Sequence, residues 1–181
     1  MINKAIREKT IDSNPVLNKA LEYCILNKKP LHLFGLISDG GVHSHSEHLI
    51  HLCRLASQKG ISEIYIHAFT DGRDTDPNGG LQYMQYLENS LNGTTAKVAS
   101  IIGRYYAMDR DKRWERVKLA YDLMVHGAGT PFESVTEAIS ASYANGVTDE
   151  FIKPVSIRKN GMPVKKKKNG DAVISFNFRT D

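Results

Sequence analysis

The sequence predicts an α/β fold: a three-layer sandwich with a mostly parallel sheet covered by helices on both faces, plus a C-terminal β-hairpin. Three observations lead there. Short runs rich in β-branched and apolar residues, at 31–37, 64–69 and 97–102, alternate with segments whose apolar residues recur at helical spacing. Each run is followed within three residues by a glycine, where a strand can hand over to a loop. Such alternation builds a parallel sheet buried on both sides. Finally, Asn160-Gly161 sits between Val155–Arg158 and Pro163–Lys168, a strong hairpin signal.

In chain order, Asn14-Pro15 supplies a helix N-cap followed by proline at the first helical position, and Leu17, Ala20, Leu21 and Cys24 continue at helical spacing. Leu31 to Ile37 is the first strand; its exit holds His43. Ser44-His45-Ser46-Glu47 has the capping-box pattern, so the next helix is expected to begin there, with Leu49, Leu52, Cys53 and Ala56 inward. The second strand covers Ile64 to Phe69 and ends in Thr70-Asp71-Gly72-Arg73-Asp74. A helix follows over about residues 81–91, then a third strand at Lys97 to Ile102. That strand exits through Gly103 to Arg110 into a helix on which Trp114, Val117, Tyr121 and Met124 share a face. Thr130-Pro131-Phe132-Glu133 combines a capping box with an N-terminal proline, so a helix is expected to start at that point and run through Val135, Ala138, Ile139 and Ser142. A final strand spans Ala172 to Phe178 and delivers Arg179.

A chain of 181 residues can bury a full core and is expected to be one domain, residues 1–181. Hydrophobic residues at 41% and charged residues at 24% are those of a soluble globular protein. A net charge of +4 is too mild to argue for nucleic acid. Cys24 and Cys53 fall on apolar helix faces and read as core thiols. No signal peptide or apolar span of membrane length is present in the sequence, which points to the cytoplasm and to no membrane partner.

In a parallel sheet, ligands bind beyond the carboxyl ends of the strands. Four predicted exits carry His43, Arg73 with Asp74, Arg104 with Arg110, and Arg179. Arginine presents a planar fork that matches carboxylate and phosphate, and it stays charged at physiological pH. A carboxylate beside such cations suits an anion whose hydroxyl must gain or lose a proton. Singly, each residue reads better as a capping or surface group; together they outline a pocket for a small, multiply anionic metabolite.

Two other patterns compete. His43, His45, His48 and His51 form an H-x-H-x-x-H-x-x-H run, which would suit a metal-dependent hydrolase. Helical steps of three residues rotate by about 300°, however, so the last three drift apart and no metal site is assigned. A non-catalytic small-anion-binding module is the other alternative. Lys165 to Lys168 reads as a solvated strand edge.

The motifs Leu36-Ile-Ser-Asp-Gly-Gly-Val-His-Ser-His45, Asp71-Gly-Arg-Asp-Thr75, Gly103-Arg-Tyr-Tyr-Ala-Met-Asp-Arg-Asp-Lys-Arg-Trp114 and Ser175-Phe-Asn-Phe-Arg-Thr-Asp181 closely resemble cofactor-independent phosphoglycerate mutases. Ile2-Asn-Lys-Ala-Ile-Arg7 and Asp149-Glu-Phe-Ile-Lys-Pro154 extend the resemblance over essentially the whole chain. It implies the inserted phosphotransferase domain of a two-domain glycolytic isomerase. The partner would be an alkaline-phosphatase-like catalytic domain of the same polypeptide, holding two manganese ions and a nucleophilic serine. This chain carries no counterpart of that serine motif or of those metal ligands, so no cofactor is expected in it. The family pattern places one more substrate-binding arginine three positions beyond Arg179, one residue past the last of this chain. By resemblance, Asp74 is the catalytic acid/base for the glycerate hydroxyls, and His43, Arg73, Arg104, Arg110 and Arg179 hold 3-phosphoglycerate and 2-phosphoglycerate. The isolated chain is expected to fold cooperatively, with its termini close together, and to be inactive alone.

Overall fold

The computed structural model describes residues 1–180; Asp181, the last residue of the final motif, lies outside them. Its elements, in order, are α1 (Ile2–Arg7), α2 (Pro15–Asn27), β1 (Leu31–Ile37), α3 (Ser46–Gln58), β2 (Ile64–Thr70), α4 (Gly80–Ser90), β3 (Ala96–Gly103), α5 (Arg104–Ala107), α6 (Trp114–His126), β4 (Thr130–Phe132), α7 (Val135–Ala144), β5 (Val155–Lys159), β6 (Met162–Pro163) and β7 (Ala172–Ser175). Short 3₁₀ turns occupy Thr10–Ser13 and Asp149–Phe151.

The strands form a sheet in the order β4-β5-β3-β2-β1-β7, with β6 paired to β5. β1, β2, β3 and β7 are mutually parallel, while β5 runs antiparallel to β3 and parallel to β4. The exits of β1, β2, β3 and β7 therefore share one edge, as the sequence predicts. Both faces are covered, but unequally. One face meets α2, α3, α4 and α7 through Leu21, Leu49, Cys53, Met84, Leu87 and Ile139, all essentially buried. The other packs Leu36, Phe69 and Ile102 against Ala120 and Leu123 of α6.

Several local expectations hold. The Asn14 side chain accepts from the N–H groups of Val16 and Leu17, with Pro15 opening the helix. Both cysteines are free and buried. Asn160 and Gly161 take φ of 54° and 77°, the paired positive values of a type I′ hairpin turn.

Others are corrected. Thr130 does not start a helix. Its N–H pairs with the Pro154 carbonyl at 2.9 Å, and 130–132 is an edge strand against β5, where Pro131 needs no ladder partner. The cap is Ser134, whose hydroxyl accepts from the Glu137 N–H at 3.3 Å. Ser44 likewise does not cap α3. It donates to the Leu36 carbonyl at 2.5 Å, Ser46 donates to the Ser38 carbonyl at 3.0 Å, and His45 caps through its ring nitrogen. On α6, Trp114 and Tyr121 are 71% and 55% exposed; the small Ala120, with Leu123, makes the inward stripe and lets the helix lie close to the sheet. Lys165–Lys168 is not a strand edge, because the chain leaves β6 to reach β7 on the far side of β3, β2 and β1. On the way the Lys167 N–H bonds the Met124 carbonyl at 2.9 Å and Lys165 pairs with Glu63 at 3.0 Å. The last strand is shorter than expected, ending at Ser175.

The face under α6 contains a polar chain where apolar residues would ordinarily sit. The His32 and His67 rings are stacked, with Nδ1 of the first 2.9 Å from Nε2 of the second. His67 Nδ1 lies 2.7 Å from the Ser100 hydroxyl, and His32 Nε2 lies 3.3 Å from an Asp171 carboxylate oxygen. Burial pushes the His67 imidazole down to about 3, and burial likewise lowers His32 against the opposing pull of Asp171. The unfolded chain takes up protons at these rings near pH 6.5, whereas the folded chain resists them. Stability is thus expected to fall as pH drops from about 6.5 toward 4.5, a window above carboxylate titration. Thermal melts of the chain and of His67→Gln check this. The substitution should flatten the slope in that window, and parallel slopes would refute the assignment.

Candidate active site

At the β2 exit the backbone turns at Gly72, whose φ of +68° favours glycine. The exits of β2 and β3 are pressed against the 149–152 segment. Thr70 Oγ1 donates to the Asp149 carbonyl at 2.7 Å, and the Gly103 N–H donates to the Ile152 carbonyl at 2.7 Å. A Cβ at Gly103 would lie 2.3 Å from the Glu150 carbonyl oxygen, so only glycine allows this approach. The close packing delivers Glu150 to within 3.9 Å of Arg73 and starts α5 with Arg104 aimed across the sheet edge.

Arg104 joins three exits. Its Nη1 donates to Asp71 Oδ1 at 2.7 Å and to Asp74 Oδ2 at 2.6 Å; its Nη2 donates to His43 Nε2 at 3.0 Å. A guanidinium has no acceptor, so Nε2 is the unprotonated nitrogen of the His43 ring. That nitrogen is also 3.5 Å from Asp74 Oδ2. His43 and Arg104 are 3% and 6% exposed, whereas the Asp74 side chain retains 21%. Asp74 is therefore the member of the cluster that solvent or a ligand can reach.

Arg104 also lines a cavity of about 120 Å³, with Arg73, Arg110 and Arg116 and with three acids, Asp109, Asp111 and Glu150. Four guanidinium groups around so small a space suit an anion with several oxygens. Arg116 stacks on the Tyr105 ring at 3.8 Å and pairs at 3.2 Å with Asp109, whose side chain is 1% exposed. Asp109 also accepts from the Arg113 N–H at 2.8 Å, which ties down the loop that carries Arg110.

The predicted residues thus sort into groups. His43, Asp74 and Arg104 are in direct contact, and Arg73 and Arg110 share the cavity with Arg104. Arg179 is exposed and does not line the cavity; the Phe178 N–H bonds the His43 carbonyl at 2.8 Å, placing Arg179 one residue past that link. Sequence reasoning missed Asp71, Asp109, Arg116 and Glu150. The first of these stands in the same D-G-R-D run as Asp74, but nothing in sequence spacing separates a buried acid from an exposed one.

The histidine run does not converge. His45 caps α3, His48 Nε2 meets Asn3 at 2.5 Å, and His51 Nε2 meets Asp12 at 2.6 Å. Among the described residues no three His, Cys, Asp or Glu side chains are grouped so as to hold a metal ion. A larger cavity of about 400 Å³, lined by Met1, Ile2, His45, His48 and Phe178, brings the two ends of the chain together but lacks convergent charge.

Compared with known proteins, residues 2–181 match the family described as BPG-independent PGAM N-terminus. The 2,3-bisphosphoglycerate-independent phosphoglycerate mutase of Parabacteroides distasonis is 56% identical over 180 residues, which are 99% of this chain and 36% of that protein. The protein of the same name from Clostridium kluyveri is 52% identical over 181 residues, again 36% of its length. A crystal structure of Leishmania mexicana phosphoglycerate mutase at low cobalt concentration superposes with a TM-score of 0.93 at 32% identity, covering 99% of this chain and 35% of that one. The chain spans little more than a third of the length of the relatives it matches.

Proposed function

The chain belongs to the family of BPG-independent phosphoglycerate mutase N-terminal domains, and from that premise we propose that it is the substrate-holding domain of a cytoplasmic mutase that interconverts 3-phosphoglycerate and 2-phosphoglycerate. The observation that carries this reading is the Asp74–Arg104–His43 cluster set against a cavity lined by four arginines. Arg73, Arg104 and Arg110, with Arg179 at the neighbouring strand exit, supply cationic donors for the carboxylate and phosphate of the substrate. Asp74 is the reachable carboxylate that accepts a proton from one glycerate hydroxyl and returns it to the other. His43 steadies Arg104, accepting from its Nη2 through the unprotonated ring nitrogen. Phosphoryl transfer is largely positioning and charge stabilisation, which suits a site built mainly of arginine. By family resemblance, the serine that carries the phosphoryl group and two manganese ions belong to the part of such mutases that this chain does not span. Among the described residues no group is fitted to hold those metals; in this reading the residues of the site position substrate and move protons.

Calorimetric titration of the chain with 3-phosphoglycerate tests the reading. We expect saturable binding that exceeds that of inorganic phosphate, weakened on the order of 10- to 100-fold by Arg110→Ala through loss of a charge-assisted bond. Arg110 is exposed, so its replacement opens no buried cavity. Binding no stronger than that of phosphate, or indifferent to Arg110→Ala, would exclude the substrate-holding role.

A further inference from the structure

We propose that Asp71 is a positioning residue of this site, whose buried carboxylate presets the Arg104 guanidinium between Asp74 and His43. The inference rests on reading the adjoining cavity as an anion site and adds to that reading a residue with no direct ligand contact. Asp71 is 2% exposed and cannot itself reach a bound anion. Its carboxylate collects donors from three strand exits. Ser38 after β1 donates to Oδ2 at 2.7 Å; the N–H groups of Arg73 and Asp74 after β2 donate to Oδ1 at 3.2 and 3.0 Å; Arg104 after β3 donates to Oδ1 at 2.7 Å. Four donors are about what two carboxylate oxygens can accept. Burial works to raise this carboxyl, but the bonds from Asp74, Ser38, Arg104 and Arg73 outweigh it and hold it below the ordinary aspartate range. Asp71 therefore stays ionised.

That fixed charge constrains Arg104. One Nη1 proton serves Asp71 and the other serves Asp74, at 2.7 and 2.6 Å, so the plane of the guanidinium is set by two carboxylates. Turning Arg104 away would strand a buried anion, which is strongly unfavourable. The same carboxylate holds the Asp74 backbone, so the acid and the cation are indexed to one point. A ligand entering the cavity meets donors already in place, and little ordering is left for it to impose.

Coulomb's law and positioning predict opposite signs for Asp71→Asn. A nearby acid that does nothing else repels an anion, and its neutralisation tightens anion binding. A positioning acid releases Arg104 when neutralised, and binding weakens. The test uses the chain itself. In NMR spectra, a guanidinium locked by ion pairs rotates slowly about Nε–Cζ and shows separate Nη signals. We expect such signals from Arg104 in the unmodified chain and their collapse in Asp71→Asn, with 3-phosphoglycerate affinity reduced on the order of 10- to 100-fold. Retained Arg104 signals, or affinity equal to or above that of the unmodified chain, overturn the proposal. Should Asp71→Asn not fold, Ser38→Ala keeps every charge and removes one donor to Asp71. It should weaken binding about twofold to tenfold, and unchanged affinity there overturns the proposal as well. The Arg104 signals need no ligand, so failure of the unmodified chain to bind phosphoglycerate would remove the functional reading while the role of Asp71 is still decided by them.

Discussion

Asp74→Asn, placed in a complete phosphoglycerate mutase that carries this domain, is expected to lower turnover on the order of 10²- to 10⁴-fold, the usual effect of removing a general acid/base. The substitution preserves shape and leaves an oxygen for the Arg104 Nη1, which now sits 2.6 Å from Asp74 Oδ2. What it removes is the capacity to take up a proton. In the reaction both glycerate hydroxyls must gain or lose one, and Asp74 is the solvent-accessible carboxylate of the cluster, with its side chain 21% exposed beside a buried arginine and histidine. Affinity should change little, because the fully charged Asp71 still holds the Arg104 guanidinium while the loss of one negative charge near the anion offsets the weaker bond from the substituted amide. The split between kcat and Kd is thus the signature. Turnover close to that of the unmodified enzyme would reduce Asp74 to a partner of Arg104 and remove the acid/base assignment.

The frame of the fold was legible because hydrophobic periodicity is strong where a strand is buried on both sides. β1 and β2 are interior strands, each paired on both sides, and their apolar runs, bounded by glycine, mark them almost to the residue. Legibility fell at the edges. β4 is three residues long and contains proline, so its residues look like a helix start until the pairing of 130–132 with β5 is known. The capping pattern at Ser44 misled for a related reason. The exit of β1 leaves carbonyls that need donors, and Ser44 and Ser46 turn to them, leaving the cap to His45.

The site was legible in its charged residues and illegible in their hierarchy. Strand-exit position brought His43, Asp74 and Arg104 together on paper, and they are within 3.5 Å of one another in the fold. The sequence could not tell that Arg104 is enclosed while Arg110 is exposed, since both stand in one motif six residues apart. Nor could it distinguish Asp71 from Asp74, three residues along the same turn. The difference lies in which neighbours close over each group, and those neighbours come from other strands.

That hierarchy governs the second large effect, Arg104→Ala. Viewed only as a substrate contact, Arg104 should lose affinity when truncated, as Arg110 does. Its surroundings require more. Its side chain is 6% exposed, and it is the cation facing Asp71, whose side chain is 1% exposed. Truncation leaves a buried carboxylate with hydrogen bonds but without its counter-charge. Breaking a buried ion pair from one side is expected to destabilise a fold by about 3–5 kcal/mol. The pH dependence separates this from simple loss of packing. In the unmodified chain burial, which raises the Asp71 carboxyl, is outweighed by its donors, so its stabilising contribution is present above the unfolded value and is lost as pH falls below it. Without Arg104 the burial effect is less opposed, and the carboxyl is protonated in the folded variant at higher pH than before. The stability gap between variant and unmodified chain should consequently be widest at neutral pH and narrow toward pH about 4, as Asp71 is neutralised in the variant. Denaturant melts at both pH values measure it. A gap below about 0.5 kcal/mol, within the range of an ordinary surface substitution, would show that Asp71 does not depend on Arg104. A gap of full size that ignores pH would assign the loss to packing alone.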